Sequence, residues 1–205
     1  MERNTLYPIF LKLHQLRLLI VGAGEVGCEK LTFLLKSSPD ADITVVANEV
    51  LPPVQELLEH YPDAKIDIHR KAFEPADVEG FDLVIAATNF EHLNREVRDA
   101  AKAAGAIVNV ADTPALCDFY LGSIVTRGNL KVAISTNGQS PTFAKRFRQW
   151  LEAILPEETD QLLARLKHFR DQLKGDFETK VKELNALTAS LVDEAPQKNR
   201  HDNLS

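Results

Sequence analysis

Apolar and polar positions alternate along the first half of the chain in two rhythms. Short runs rich in apolar and β-branched residues, at Arg17–Val21, Asp42–Ala47, Lys65–His69, Asp82–Ala87 and Ala106–Val110, read as strands. Between them Glu25–Lys36, Pro52–His60 and Phe90–Ala104 carry apolar residues at helical spacing. This alternation of strand and helix, with largely apolar strands, predicts a parallel sheet covered on both faces. Gly80, Gly105 and the cluster Ser37-Ser38-Pro39-Asp40 mark joints between units. The span Asp77–Gly80 is too short for a crossover helix, so a loop is expected before the fourth strand. No internal repeat is visible.

The rhythm changes after Asp112. Asp118–Val125 and Leu130–Thr136 read as two strands around Thr126-Arg127-Gly128-Asn129, a hairpin turn. Ser140 as N-cap and Pro141 at the first helical position then start a helix. Its apolar face carries Phe143, Ala144, Phe147, Leu151 and Ile154, and Pro156 ends it. An amphipathic stretch follows to about Val192, broken near Lys174-Gly175-Asp176. The expected organisation is a dinucleotide-binding domain over 1–112, a dimerisation region over 113–150, a helical domain over 151–195, and a disordered polar tail over 196–205. A two-stranded hairpin with an apolar face cannot close a core alone. A second copy of the same hairpin is the simplest cover, so a homodimer is expected.

The first strand runs directly into Gly22-Ala23-Gly24-Glu25-Val26-Gly27 and then into a helix. This is the G-x-G-x-x-G pattern in its strand–turn–helix context. The first glycine makes the tight turn, the second lets the backbone approach a pyrophosphate, and the third lets helix and strand pack closely. The helix N-terminus then faces the phosphates. In an open parallel sheet, ligands bind beyond the carboxyl ends of the strands. Ala86-Ala87-Thr88-Asn89 and Asn109-Val110-Ala111-Asp112 fall at those ends as well. Asp112 reads either as a turn cap or as an acid/base beside the crevice. Asn48 and Glu49, after the second strand, read either as ribose contacts or as a turn into the next helix. No Arg stands there to receive a 2′-phosphate, which favours NAD over NADP.

The chain has 205 residues, of which 44% are hydrophobic and 26% charged, as in an ordinary globular protein. No apolar stretch approaches the roughly 20 residues of a membrane span, and Met1-Glu2-Arg3-Asn4 opens no signal peptide. Cys28 and Cys117 form no metal-ligand spacing and are expected as reduced thiols in a cytoplasmic protein. The six histidines are scattered, so no resident metal site is expected, and no G-x-S-x-G nucleophile pattern appears. A net charge of −6 argues against nucleic-acid binding. Thr126–Arg148 nevertheless holds five basic residues, Arg127, Lys131, Lys145, Arg146 and Arg148, and no acidic one. That segment reads as an anion site or as a solvated basic face. The small polar residues of Ser135–Thr142, ahead of a helix start, read as an anion site or as a capped loop.

Together these segments resemble the short form of the siroheme synthase family, precorrin-2 dehydrogenase and sirohydrochlorin ferrochelatase. The resemblance is carried by Tyr7-Pro8-Ile9-Phe10-Leu11, Leu19 to Val26, Ala86-Ala87-Thr88-Asn89 and Asn109-Val110-Ala111-Asp112. The most specific segment is Ala133-Ile134-Ser135-Thr136-Asn137-Gly138-Gln139-Ser140-Pro141. It covers about residues 6–156, and the C-terminal helices match only in length and character. The family often has Ala where Gly27 stands, a change expected not to affect cofactor binding. Longer members carry a methyltransferase domain that these residues do not include, so methylation of uroporphyrinogen is not expected of them.

The resemblance implies a Rossmann-type α/β domain, then a β-hairpin dimerisation region and a C-terminal helical domain. It implies NAD-dependent dehydrogenation of precorrin-2 to sirohydrochlorin, and in many members insertion of ferrous iron as a substrate to give siroheme. Asp112 matches the family's candidate acid/base for both steps. Gly22, Gly24, Glu25, Val26, Gly27, Asn48, Glu49 and Thr88 are the expected cofactor contacts. Ser135, Asn137, Gly138, Ser140, Arg127, Lys145 and Arg146 are the expected contacts to the carboxylate-rich tetrapyrrole. Ser135 also matches a serine that is phosphorylated in some members. Two rivals stay open: a dehydrogenase without chelatase activity, and a non-enzymatic NAD sensor whose helical tail signals to a partner.

Overall fold

The computed structural model describes residues 4–173 and 176–189. In chain order these form β1 (Arg17–Ala23), α1 (Glu25–Ser37), β2 (Asp42–Val50), α2 (Pro52–His60), β3 (Lys65–His69), β4 (Leu83–Ala86), α3 (Glu91–Ala103) and β5 (Ile107–Val110). Then come β6 (Ser123–Arg127), β7 (Leu130–Ile134), α4 (Pro141–Ile154), α5 (Thr159–Gln172) and α6 (Phe177–Leu187). The first five strands make one parallel sheet in the order β3-β2-β1-β4-β5, and β6 with β7 makes a separate two-stranded sheet. This is the expected Rossmann-type α/β sheet, with its switch point between β1 and β4.

Strand parity builds the two faces. Leu18 and Ile20 of β1 join Ile43, Val45, Leu83 and Ile85 on the face covered by Leu31 and Leu35 of α1 and Val54 of α2. Leu19 and Val21 join Val46, Val84, Val108 and Val110 on the face covered by Val97 and Ala101 of α3. Leu18 to Val21 are each no more than 1% exposed, which is why β1 reads as an unbroken apolar run.

Three sequence expectations need correction. The second strand does not stop at Ala47 but continues to Val50, because the register with β1 slips after Val21 and Ala23 pairs with Val50. The span before β4 is not all loop: Pro75–Val78 forms a 3-10 turn, opened by Pro75 and held by the Glu74 N–H donating to Asp77 Oδ2 at 2.8 Å. The strand expected from Asp118 begins only at Ser123, because residues 117–119 bond to the edge of β5.

The chain divides into two compact units, one of residues up to 125 with 132–150, the other of 126–131 with the residues from 151 onward. In the second unit, Gly128 with φ +54 takes the first of the two central positions of the hairpin turn, where a positive φ favours glycine. Asp160 accepts from the Asn129 N–H and Nδ2, both at 2.8 Å, and these bonds hold its carboxyl below the ordinary aspartate value. No described residue of α5 or α6 is buried and Phe177 is 83% exposed, while Leu163, Leu166 and Leu184 are half-buried, so the apolar face read from the sequence there is only partly covered in the single chain. The expected tail over 196–205 lies outside the described residues.

Candidate functional site

The glycine-rich loop joins β1 to α1. Gly22 has φ +109, and a Cβ there would lie 2.5 Å from the Ala87 carbonyl oxygen. A Cβ on Gly27 would collide with the Gly22 carbonyl. These two glycines therefore answer to the protein's own backbone. Gly24 does not. Its φ of −83° suits any residue, and a Cβ there would meet nothing within 4 Å. Neither conformation nor packing calls for a glycine at this position, and open space lies in front of it at the N-terminus of α1. That combination fits close approach by a bound group, and the unpaired amides of the first helical turn, including those of Glu25 and Val26, suit a diphosphate.

The end of β2 runs beside this loop. Leu51 N–H donates to the Ala23 carbonyl at 3.1 Å, and Asn48 and Glu49 are exposed between buried Ala47 and Val50. On the other side, Ala87 N–H donates to the Val21 carbonyl at 2.8 Å, which brings Thr88 against Gly22. The Thr88 hydroxyl is engaged within the protein: it donates to Asn94 Oδ1 at 2.7 Å and accepts from the Phe90 N–H at 3.2 Å. Asn94 Nδ2 in turn donates to the Thr88 carbonyl at 3.0 Å. Asn94, only 6% exposed, is the clamp of this loop and was missed in the sequence. The signal was there, since it is a polar residue beside Leu93 and Val97 on the apolar face of α3.

Asp112 stands one residue past Ala111, whose N–H donates to the Ala86 carbonyl at 2.9 Å. This puts it at the same carboxyl edge of the sheet as the glycine loop and Thr88. Its side chain is exposed, and among the described residues it has no hydrogen-bond or ion-pair partner. Its backbone is left-handed, with φ +56°. A capping aspartate would accept from a nearby N–H, and this one does not. Asp118, by contrast, is fully engaged: burial works to raise its pKa, but bonds from Lys102 Nζ at 2.8 Å and the Val108 N–H at 3.0 Å hold the carboxyl below its ordinary value.

The Ser135–Ser140 loop follows the hairpin and bonds mainly within itself. Ser135 Oγ accepts from the Asn137 N–H and Thr136 Oγ1 from the Ser140 N–H, each at 3.2 Å. Asn137 and Gly138 are consecutive left-handed residues, at φ +54° and +76°, and a Cβ on Gly138 would meet open space. Ser140 caps α4 as expected, its Oγ accepting from the Phe143 N–H at 3.2 Å. Lys145 and Arg146 are exposed on α4. Arg127 is committed elsewhere: its guanidinium donates to the carbonyls of Glu152 at 2.6 Å, Leu155 at 3.3 Å and Thr126 at 3.3 Å. It caps the end of α4 rather than standing free for an anion. Among the described residues no group of His, Cys, Asp and Glu is placed to hold a metal, and no helix is long and apolar enough to cross a membrane.

Comparison with known proteins gives this geometry a family. Residues 9–123 match the family model described as "Putative NAD(P)-binding", and residues 127–154 match the one described as "Sirohaem biosynthesis protein central". The chain belongs to the siroheme synthase family. It is 36% identical over 176 residues to the siroheme synthase of Pseudoalteromonas atlantica, covering 86% of this chain and 37% of that protein. It is 40% identical over 167 residues to that of Methylococcus capsulatus, covering 82% and 34%. The chain thus spans about a third of the length of these curated relatives. Among solved structures it resembles "SirC, precorrin-2 dehydrogenase", with a TM-score of 0.68, 26% identity and 89% of both chains covered. In siroheme synthase terms, the parallel sheet with Asp112 lies in the NAD(P)-binding match, and the hairpin turn with the Ser135–Ser140 loop and α4 lies in the central one.

Proposed function

We propose that this chain oxidises precorrin-2 to sirohydrochlorin with NAD as acceptor, and that it also promotes entry of ferrous iron, a substrate, to give siroheme. The observation that carries the reading is Asp112, an exposed carboxylate with no described partner, beside a glycine loop whose Gly24 faces open space. The likeness to SirC supports the substrate class.

When bound, NAD supplies the hydride acceptor. The loop Gly22–Gly27 holds its diphosphate through backbone amides, with Glu25 and Val26 in the first helical turn. Asn48 and Glu49, exposed at the end of β2, take the ribose hydroxyls. The absence of an arginine in that stretch favours NAD over NADP. Thr88, fixed by Asn94, keeps the loop after β4 close to Gly22. Asp112 takes the proton that leaves the macrocycle during dehydrogenation, and pyrrole N–H protons during iron entry. Lys145, Arg146 and the polar loop Ser135, Asn137, Gly138 and Ser140 bind substrate carboxylates.

The assembly we propose is a homodimer. Phe143, Phe147 and Trp150 form a stacked row on α4, with ring centroids 5.8 and 5.5 Å apart, and Phe143 is 59% exposed. A second copy is the expected cover, and light scattering of the full chain should give twice its mass. Incubation with precorrin-2 and NAD, with and without ferrous iron, tests the activity. NADH should appear in both arms and the siroheme spectrum only with iron. No NADH in either arm would overturn the dehydrogenase reading, and NADH without iron-dependent siroheme would overturn the chelatase half.

A further inference from the structure

β5 is an edge of the parallel sheet, so its outward backbone groups have no strand to meet. Ile107 and Ala111 donate inward to the Asp82 and Ala86 carbonyls, at 3.1 and 2.9 Å, which turns the N–H groups of Val108 and Val110 outward. The returning chain supplies a side chain to each. Val108 donates to Asp118 Oδ2 at 3.0 Å, and Val110 donates to Cys117 Sγ at 3.2 Å. The same sulfur lies 3.2 Å from the Val110 carbonyl and 3.5 Å from the Thr113 carbonyl, which share its one proton. Asn109 Nδ2 also reaches Sγ at 3.5 Å. The thiol is therefore bonded to the backbone on both sides of Asp112.

We propose that Cys117 is the positioning residue for Asp112, its thiol tying Val110 to Thr113 so that the intervening turn holds the carboxylate at the crevice. The inference rests on the reading of Asp112 as the acid/base. A left-handed backbone at a residue with a side chain persists only where the surroundings impose it. Within the turn itself, the Thr113 N–H reaches the Val110 carbonyl and Thr113 Oγ1 the Ala111 carbonyl, both at 3.3 Å, which are long contacts. The sulfur adds the restraint they lack. Val110 is 2% exposed, so water has little access to replace the thiol at its N–H. Burial pushes the Cys117 thiol up, against the pull of the Val110 backbone bond and with help from the nearby Asp118 charge, which keeps its proton available to donate at neutral pH.

The test compares the full chain with its Cys117→Ala, Cys117→Val and Cys117→Ser variants, in NAD-dependent oxidation of precorrin-2 and in amide hydrogen exchange. Cys117→Ala should lower kcat on the order of 10- to 100-fold, the scale of a small misplacement of a catalytic group. The KM for NAD should stay unchanged. Exchange at Ala111, Asp112 and Thr113 should speed up while β1 amides stay protected. Cys117→Val fills similar space without a donor or acceptor and decides the matter if the alanine variant is unstable. Cys117→Ser, which keeps a donor and an acceptor, should recover most of kcat. Wild-type kcat, or wild-type exchange at Ala111–Thr113, in a folded Ala or Val variant overturns the proposal. A lack of turnover in the unmodified chain would instead overturn the functional reading, and the exchange rates would still decide whether the thiol holds the turn.

Discussion

The Gly22 carbonyl occupies the place that a Cβ on Gly27 would need. The first and third glycines of the loop are therefore coupled, and the expectation that alanine in place of Gly27 leaves cofactor binding untouched is corrected here, because a Cβ there requires movement of the turn. Gly27→Ala should cost about 1–3 kcal/mol, as overpacking at a rigid contact does. It should also weaken NAD binding, because the shifted carbonyl belongs to the cofactor loop. Thermal unfolding and calorimetry check both.

Gly24→Val should behave in the opposite way. The backbone there accepts a side chain, and its Cβ would enter open space. The change at a helix N-cap should cost about 1 kcal/mol, while NAD binding measured by calorimetry is lost. Retained binding would mean that the diphosphate does not lie over Gly24.

Asn94→Leu should release the loop after β4. The buried amide makes three bonds to Thr88, through its Oδ1 and Nδ2, and leucine leaves the Thr88 N–H and carbonyl without them. The expected loss is about 1–3 kcal/mol of stability, read from denaturant unfolding, with faster amide exchange at Thr88.

Asp118 should give the fold part of its acid sensitivity. Its folded pKa lies below the unfolded one despite burial, because Lys102 and the Val108 N–H favour the carboxylate. The unfolded chain thus binds the extra proton, so this contribution is complete above the unfolded pKa, about 4, and is lost as pH falls through the folded pKa. Asp118→Asn should be less stable at neutral pH and should lose less stability on acidification. A pH series of unfolding curves tests this.

Much of this was legible in the sequence because local rules governed it. The apolar runs of β1 to β5, the glycine loop and the Ser140–Pro141 helix start each carry their own signal, and each appears in the structure. What stayed hidden depends on partners distant in the chain. Arg127 looked free for an anion, but two of its donors meet carbonyls more than twenty residues away. Asp118 looked like the start of a strand, but it and Cys117 complete the edge of β5 through side chains. The turn-cap reading of Asp112 could be weighed only against the folded chain, where its carboxylate caps nothing among the described residues.

If Asp112 moves the proton, Asp112→Asn exposes it in the precorrin-2 and NAD assay. Asparagine adopts the left-handed backbone as readily as aspartate, so the turn at φ +56° should survive. The variant should keep its melting temperature and NAD affinity and form NADH more slowly by about 10²–10⁴-fold. A variant as stable and as active as the unmodified chain would contradict that role of Asp112.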